Sequence, residues 1–441
     1  MSEFIRPASL EQFEANFAQI KPLMNTSEAY YESARCLFCY DAPCINACPT
    51  SIDIPLFIRQ IHSGNVLGAA KTIYDSNYFG HACGKVCPTE VLCEGACVYI
   101  HQNVKPIEIG RLQAFASHKA MSNGTVLYEK AAPTGKKVAI IGAGPAGISC
   151  ACELCLNGFE ADIFEAKEQA SGLTVHGVAP YKITNDEAID EVAYLQKQFG
   201  FRVFYRQKIS TAEDWQRLDA EYDALFIGIG LGNTGNLHLE GEQLEGCLGA
   251  VEFIEQLRSQ QHLVQVADRV VVLGGGNTAM DAASECARMG ASEVTIAYRR
   301  TKNEMGAYHF EYDLAKNVGA KGLFGVTPKA IEGKDGKVTG IWFARTGIQG
   351  NELVETSDTP LFVPCEWVLK ATGQTKQSDV LQQVTGLQLD AKKRIIVNEH
   401  LQTSNPRYFS GGDAVNGGKE VVNAAWEGKK AAQSIVALFS H

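Results

Sequence analysis

The sequence predicts an α/β chain: two doubly wound units with parallel sheets, preceded by a helical segment rich in cysteine. Three observations carry this. An apolar strand runs into a glycine-rich turn at Gly142, and another does so at Gly274. Each turn is followed by a helical stretch and a second strand, the order of a βαβ unit. Eight of the 14 cysteines fall between Cys36 and Cys97. At about 150 residues per domain, the 441-residue chain allows roughly three domains.

Composition excludes several classes. Forty basic against 50 acidic residues leave a formal charge of −10, which argues against a broad nucleic-acid-binding face. Hydrophobic residues are 45% and charged residues 20%, as in a globular protein. No apolar run approaches the roughly 18 residues of a membrane span. The N-terminus carries Glu3, Glu11 and Glu14 and has no apolar signal core, so a cytoplasmic location is expected.

In the first unit, Lys137-Val138-Ala139-Ile140-Ile141 is an apolar run of the kind buried in parallel sheets. It enters Gly142-Ala143-Gly144-Pro145-Ala146-Gly147, a helical stretch to about Asn157-Gly158, and a strand at 160–164. The first glycine permits a tight turn, the second lets a pyrophosphate reach the backbone, and the third lets helix and strand pack closely. The helix start turns N–H groups and a positive dipole end to the phosphates. Glu165 lies 23 residues after Gly142 (165 − 142), at a strand end, where a carboxylate binds ribose hydroxyls.

In the second unit the strand at 269–273 enters Gly274-Gly275-Gly276-Asn277-Thr278-Ala279, with alanine at the third position. A helix to Met289-Gly290 and a strand at 293–297 follow. By counting, Ala297 matches Glu165, so no ribose acid is present. Tyr298-Arg299-Arg300 comes next. Two guanidiniums there suit a 2′-phosphate and favour NADP over NAD; the plainer alternative is a solvated basic strand end. The segments 224–230 and 367–373 read as strands crossing between the two units, and Gly373 ends the second crossing. Residues 408–414 form a further strand and turn, with a helix from about Val421.

The cysteine spacing is Cys36-x2-Cys39-x4-Cys44-x3-Cys48-Pro49, then Cys83-x3-Cys87-Pro88-x4-Cys93-x3-Cys97. Eight cysteines with two Cys-Pro endings match two iron–sulfur clusters. Structural zinc prefers paired CxxC knuckles, and only Cys36/Cys39 form one. The expected organisation is therefore two Rossmann-type dinucleotide-binding domains behind an α-helical iron–sulfur domain. The boundaries are 1–133 for the domain with two [4Fe–4S] clusters, 134–245 with 366–441 for the first dinucleotide-binding domain, and 246–365 for the second. Cys150, Cys152 and Cys155 read as small packing residues on a buried helix. His81 and His309 read as exposed or packing residues.

Two resemblances sharpen this. Residues 137–441 resemble the flavoproteins with two dinucleotide-binding domains. That resemblance implies FAD at Gly142–Gly147 and Glu165, with NAD(P)H at Gly274, Gly276, Asn277, Thr278, Arg299 and Arg300. It also implies a late turn, Gly412-Asp413, against the flavin's ribityl–phosphate region. Gly373 joins the cofactor-binding set. Where that family has two glycines after the ribose acid, this chain has Ser171-Gly172.

Residues 30–115 resemble the N-terminal iron–sulfur domain shared by dihydropyrimidine dehydrogenase and the glutamate synthase small subunit. The resemblance rests on Arg35-Cys36-Leu37-Phe38-Cys39, Asp41-Ala42-Pro43-Cys44, Ala47-Cys48-Pro49, Val86-Cys87-Pro88-Thr89, Leu92-Cys93-Glu94-Gly95-Ala96-Cys97 and Ile107-Glu108-Ile109-Gly110-Arg111-Leu112-Gln113. It implies one cluster on Cys36, Cys39, Cys44 and Cys97, and another on Cys48, Cys87, Cys93 and Gln113. A simpler count makes Cys83 the last ligand instead of Gln113. Taken together, the chain resembles the NAD(P)H-oxidising subunit of bacterial two-subunit dihydropyrimidine dehydrogenases. That implies a hetero-oligomer with a partner that carries FMN and reduces uracil or thymine. The alternative is a glutamate synthase small subunit or a relative serving another acceptor. Hydride transfer to a flavin needs no general base, so no catalytic residue is assigned.

Overall fold

The computed structural model describes residues 4–350 and 352–440. The chain divides into two compact units. One comprises Gln19–Val175, Lys182–Leu231 and Lys376–His441; the other comprises Met1–Ala18, His176–Tyr181 and Gly232–Thr375.

The larger unit joins the cysteine-rich helices to the first dinucleotide fold. Its sheet contains β1 (Lys137–Ile141), β2 (Glu160–Phe164), β3 (Arg202–Phe204), β4 (Ala224–Ile227) and β13 (Tyr408–Ser410). The order is β13-β4-β1-β2-β3, parallel throughout. Apolar runs such as Val138–Ile141 are buried on both faces, as a sheet covered on both sides requires. The helix Pro145–Leu156 follows β1 with proline at its first position, where a missing N–H costs nothing. The C-terminal helix Val421–Phe439 packs on it so closely that a Cβ on Gly428 would lie 1.9 Å from the Ala146 carbonyl oxygen. Apolar residues recur three and four apart from Ile54 to Ile61, and the segment forms the helix Ile54–His62, whose Phe57, Ile58 and Ile61 enter the core of the cysteine-rich region.

The smaller unit holds the second parallel sheet, built from β5 (Cys247–Gly249), β6 (Arg269–Leu273), β7 (Glu293–Tyr298), β8 (Lys321–Phe324) and β12 (Trp367–Lys370) in the order β5-β12-β6-β7-β8. It also holds an antiparallel sheet, β9 (Val326–Lys334), β10 (Lys337–Gln349) and β11 (Glu352–Pro364), that the sequence reading did not anticipate. Asp335-Gly336 joins β9 to β10 with φ of +53° and +81°, the backbone of a two-residue hairpin turn.

Three segments lie elsewhere than the expected boundaries put them. β12 pairs with β5 and β6, so 366–375 runs with the second sheet rather than the first. Segment 232–245 goes with the same unit. So do residues 4–18, because Arg6 Nη2 donates to Val266 O at 2.7 Å and Asn16 Nδ2 to Arg288 O at 2.7 Å. The two crossing segments pair with each other: Gly235 N donates to Gly373 O, and Gly232 N to Thr375 O.

Candidate redox site

The first turn is built by close approach. Gly142 has φ +102°, and a Cβ there would lie 2.4 Å from Gly228 O. A Cβ on Gly147 would lie 2.0 Å from Gly142 O, so the helix must start with glycine at this point. Gly144 is different: a Cβ would meet nothing within 4 Å. The loop is thus tight where protein meets protein and open where a pyrophosphate would lie. Glu165 follows β2 and is buried; its carboxylate accepts Ala143 N and Lys167 N, both at 2.8 Å. That fixes the carboxylate beside the turn.

Ser171 and Gly172 both have positive φ, +85° and +53°, and Ser171 N donates to Ala143 O at 2.8 Å. The loop therefore keeps a left-handed pair even with serine in the first place. Gly412 also has φ +74°. Its N–H donates to Glu427, which also accepts from Asn416 Nδ2 at 3.1 Å. Burial raises the Asp413 carboxyl above its ordinary value, opposed by the Lys419 amide, which donates to it. Sequence reasoning singled out Ser171 as a departure from the family's two glycines; it did not find Glu427.

The second turn repeats the frame. A Cβ on Gly274 would lie 2.4 Å from Ala371 O, while Gly276 has open space. Asn277 begins the helix Asn277–Arg288, and its Oδ1 accepts Tyr308 N; Thr278 is exposed in the first turn. The match to Glu165 needs correction. β1 pairs Ile141 with Phe164, and β6 pairs Leu273 with Ala297. The equivalent of Glu165 is therefore Tyr298. The connection from helix to strand is one residue longer in the second unit, 289–292 against 157–159, which is why counting landed on Ala297. The Tyr298 ring covers Gly275, where a Cβ would come within 2.6 Å of it. Arg299 and Arg300 are exposed, and their carbonyls accept Thr346 Oγ1 and Gly325 N. Gly373 has φ +113° with nothing near its Cβ position.

The cysteines form two groups. Cys36, Cys39, Cys44 and Cys97 line one pocket, with Ile54 and Ile58 on its apolar wall. Burial pushes the Cys44 thiol up to about 12, and the sulfurs of Cys36 and Cys97 add to the shift. Thiols packed this way resist ionisation until a positive centre binds among them. Among the described residues, no three His, Cys, Asp or Glu side chains close around a point the size of a single ion. Four cysteines lining one pocket are a donor set that fits an iron–sulfur cluster.

In the second group, burial raises Cys93, and Glu94, Cys87 and Cys48 add to it. Cys83 hydrogen-bonds Cys87 one helical turn away, raising its thiol. Gln113, on the helix Ile109–Ser122, is buried and donates its amide to Gly80 O at 2.7 Å. Cys83 thus hydrogen-bonds Cys87, while the Gln113 amide nitrogen is engaged with the start of the Gly80–Val86 helix. Cys150 and Cys152 are fully buried.

Two glycine turns on parallel sheets and a cysteine-lined cavity define a pyridine-nucleotide oxidoreductase with an iron–sulfur region. Comparison with known proteins agrees. Residues 13–125 match a family described as dihydropyrimidine dehydrogenase domain II, 4Fe-4S cluster. Residues 136–428 match the pyridine nucleotide-disulphide oxidoreductases, and the chain belongs to this family. It is 33% identical to the NAD-dependent dihydropyrimidine dehydrogenase subunit PreT of Escherichia coli K12, over 95% of this chain and 96% of that one. It is also 33% identical to the glutamate synthase [NADPH] small chain of the same strain, over 98% and 95%. Among solved structures it shares the fold of Mycobacterium tuberculosis FprA in complex with NADPH, at 19% identity and a TM-score of 0.57, covering 68% of this chain and 84% of that one. The chain is an NAD(P)H-dependent oxidoreductase that uses FAD and [4Fe–4S] clusters. No described helix is long and apolar enough to cross a membrane.

Proposed function

We propose that this chain is the electron-input subunit of a two-component reductase. It would oxidise NAD(P)H and deliver the electrons to a separate partner that carries FMN and reduces pyrimidines such as uracil and thymine. A bound flavin would supply hydride acceptance and release of single electrons, and iron–sulfur centres would supply one-electron carriers. The turn from Gly142 to Gly147 would hold the FAD pyrophosphate, Glu165 its ribose, and Gly172, Gly412 and Asp413 the adjoining region. Gly274, Gly276, Asn277 and Thr278 would hold the nicotinamide dinucleotide, with Arg299 and Arg300 on a 2′-phosphate and Gly373 nearby in sequence to the crossing strand. Cys36, Cys39, Cys44 and Cys97 would hold one cluster. Cys48, Cys87 and Cys93 would hold the other, completed by Gln113 or Cys83.

The observation that carries the reading is that the cysteine-rich helices and the first dinucleotide fold make up one compact unit. That is the arrangement internal electron transfer needs. A second reading, a glutamate synthase small chain, rests on an identity of the same size over nearly the whole chain. The two separate on mixing. Anaerobically purified protein is combined either with an FMN-containing pyrimidine-reducing subunit or with a glutamate synthase large chain. The proposal expects NAD(P)H oxidation dependent on uracil or thymine with the first and none dependent on glutamine and 2-oxoglutarate with the second. The reverse result transfers the assignment to glutamate synthase. Protein without iron, acid-labile sulfide and FAD ends both.

A further inference from the structure

The helix Asn185–Phe199 belongs to the first dinucleotide fold, yet it carries a polar stripe where an apolar one is usual. Glu187, Glu191, Tyr194 and Gln198 are spaced four, three and four apart, so they share one face. Every partner named below for this stripe lies between residues 19 and 127, in the segment that precedes β1.

Glu191 is fully buried and accepts His81 N at 2.6 Å, Ala82 N at 2.9 Å and Tyr74 Oη at 3.4 Å. These two amides open the short helix Gly80–Val86, which carries Cys83 and runs into Cys87. Glu187 accepts from Gln19 and from Lys85 Nζ at 3.2 Å, and it faces His81 Nε2 at 3.6 Å. Of the two roles the sequence left open for His81, exposed or packing, it takes the packing one, fully buried. At the far end, Tyr194 Oη and Gln198 Nε2 both donate to Thr125 O, and Gln198 Oε1 accepts Leu127 N.

We propose that this stripe is the clamp that sets the cysteine-bearing helices on the flavin-type fold, with Glu191 as the positioning residue for electron transfer between them. The inference rests on the reading that electrons cross from the first dinucleotide fold to the cysteine region. Its physical basis is hydrogen-bond arithmetic. A carboxylate offers one oxygen to each of two adjacent amides, whereas the glutamine side chain offers one oxygen and one N–H2 group. Glu191→Gln therefore leaves one buried backbone donor facing a donor, and the helix must shift or fray.

The test uses the full chain with its cofactors, prepared anaerobically and mixed rapidly with NAD(P)H. Flavin reduction and iron–sulfur bleaching are followed as separate absorbance changes, alongside amide hydrogen exchange of residues 77–86. For Glu191→Gln we expect unchanged iron and FAD content and an unchanged rate of flavin reduction. Bleaching should slow about tenfold or more, the scale on which small misplacements act, and exchange at 77–86 should rise. Wild-type bleaching and exchange would overturn the proposal. So would a loss of iron and FAD with normal bleaching in the protein that keeps them, since that is a structural role alone. If Glu191→Gln does not fold, Gln198→Ala is the readout. It should slow bleaching with flavin reduction intact, and no slowing overturns the clamp. Wild-type protein whose flavin is reduced but whose clusters never bleach would instead defeat the electron-input reading.

Discussion

The two glycine turns share one frame and differ at the end of the second strand. In the first, Glu165 closes the strand and its carboxylate accepts Ala143 N and Lys167 N. In the second, Tyr298 holds the same register; its ring lies on Gly275 and its hydroxyl donates to Glu304 O at 2.9 Å. A carboxylate offers acceptors to ribose hydroxyls and disfavours a phosphate beside it. An aromatic ring does neither, and leaves recognition to the residues that follow. On the proposed reading, the frame would set where a dinucleotide lies, and the strand end would set which one.

The largest expected difference concerns the third position of the turn, Gly147 in the first unit and Ala279 in the second. A Cβ on Gly147 meets a carbonyl oxygen at 2.0 Å, contact that only backbone movement relieves. Gly147→Ala should destabilise the cofactor-free protein by more than about 3 kcal/mol. The mirror change Ala279→Gly should cost only about 1 kcal/mol, the helix penalty of glycine. Urea unfolding of both variants measures this. Equal losses would mean that the two turns pack alike and would remove the asymmetry.

The strand ends give the next contrast. Glu165→Gln takes one acceptor from the Ala143–Lys167 pair and removes the charge that would face ribose hydroxyls. At about 1.5–3 kcal/mol for hydrogen bonds to charged groups, FAD should bind tens of times more weakly. Tyr298→Phe at the matching place loses a single neutral hydrogen bond, worth about 1 kcal/mol of stability. It should leave the KM for NAD(P)H within about twofold. Titration of apoprotein with FAD and steady-state kinetics supply the two numbers. A Tyr298→Phe variant as damaged in nucleotide binding as Glu165→Gln is in FAD binding would contradict the division of labour.

Much of this was legible in the sequence because it depends on local backbone demands. Gly142, Gly147 and Gly274 announce close approach, and apolar runs such as Val270–Leu273 announce buried parallel strands. The cysteine spacing pointed to two clusters, the family resemblance implied which cysteines go together, and Cys36, Cys39, Cys44 and Cys97 lie along one pocket. What failed was only partly non-local. Whether 367–370 pairs with β4 or β6 is decided by sheet assembly, which a strand's own residues do not encode. The antiparallel sheet had a local signal in Asp335-Gly336 between alternating residues, and it went unread. The Tyr298 register turned on one extra residue in a loop. Glu191 carried no pattern of its own, although Thr184 and Glu187 form a capping box that marks where its helix begins.

The smallest effect is the most discriminating. Arg299 and Arg300 follow Tyr298 directly, both are exposed, and their carbonyls are tied into the fold by Thr346 and Gly325, while the Arg300 charge acts on the Glu304 carboxylate. Their guanidiniums are therefore available for a 2′-phosphate at little structural cost. Exposure also means that water and salt screen the attraction, so each arginine should contribute modestly. Replacing both with alanine should raise the KM for NADPH about tenfold and leave the KM for NADH within about twofold. Added salt should weaken NADPH binding to the parent protein and do little to the double variant, because the screened contact is gone. An equal loss for both nucleotides would show that these arginines stabilise the strand end or meet the shared pyrophosphate. The contrast between the two turns would then lie in Glu165 alone.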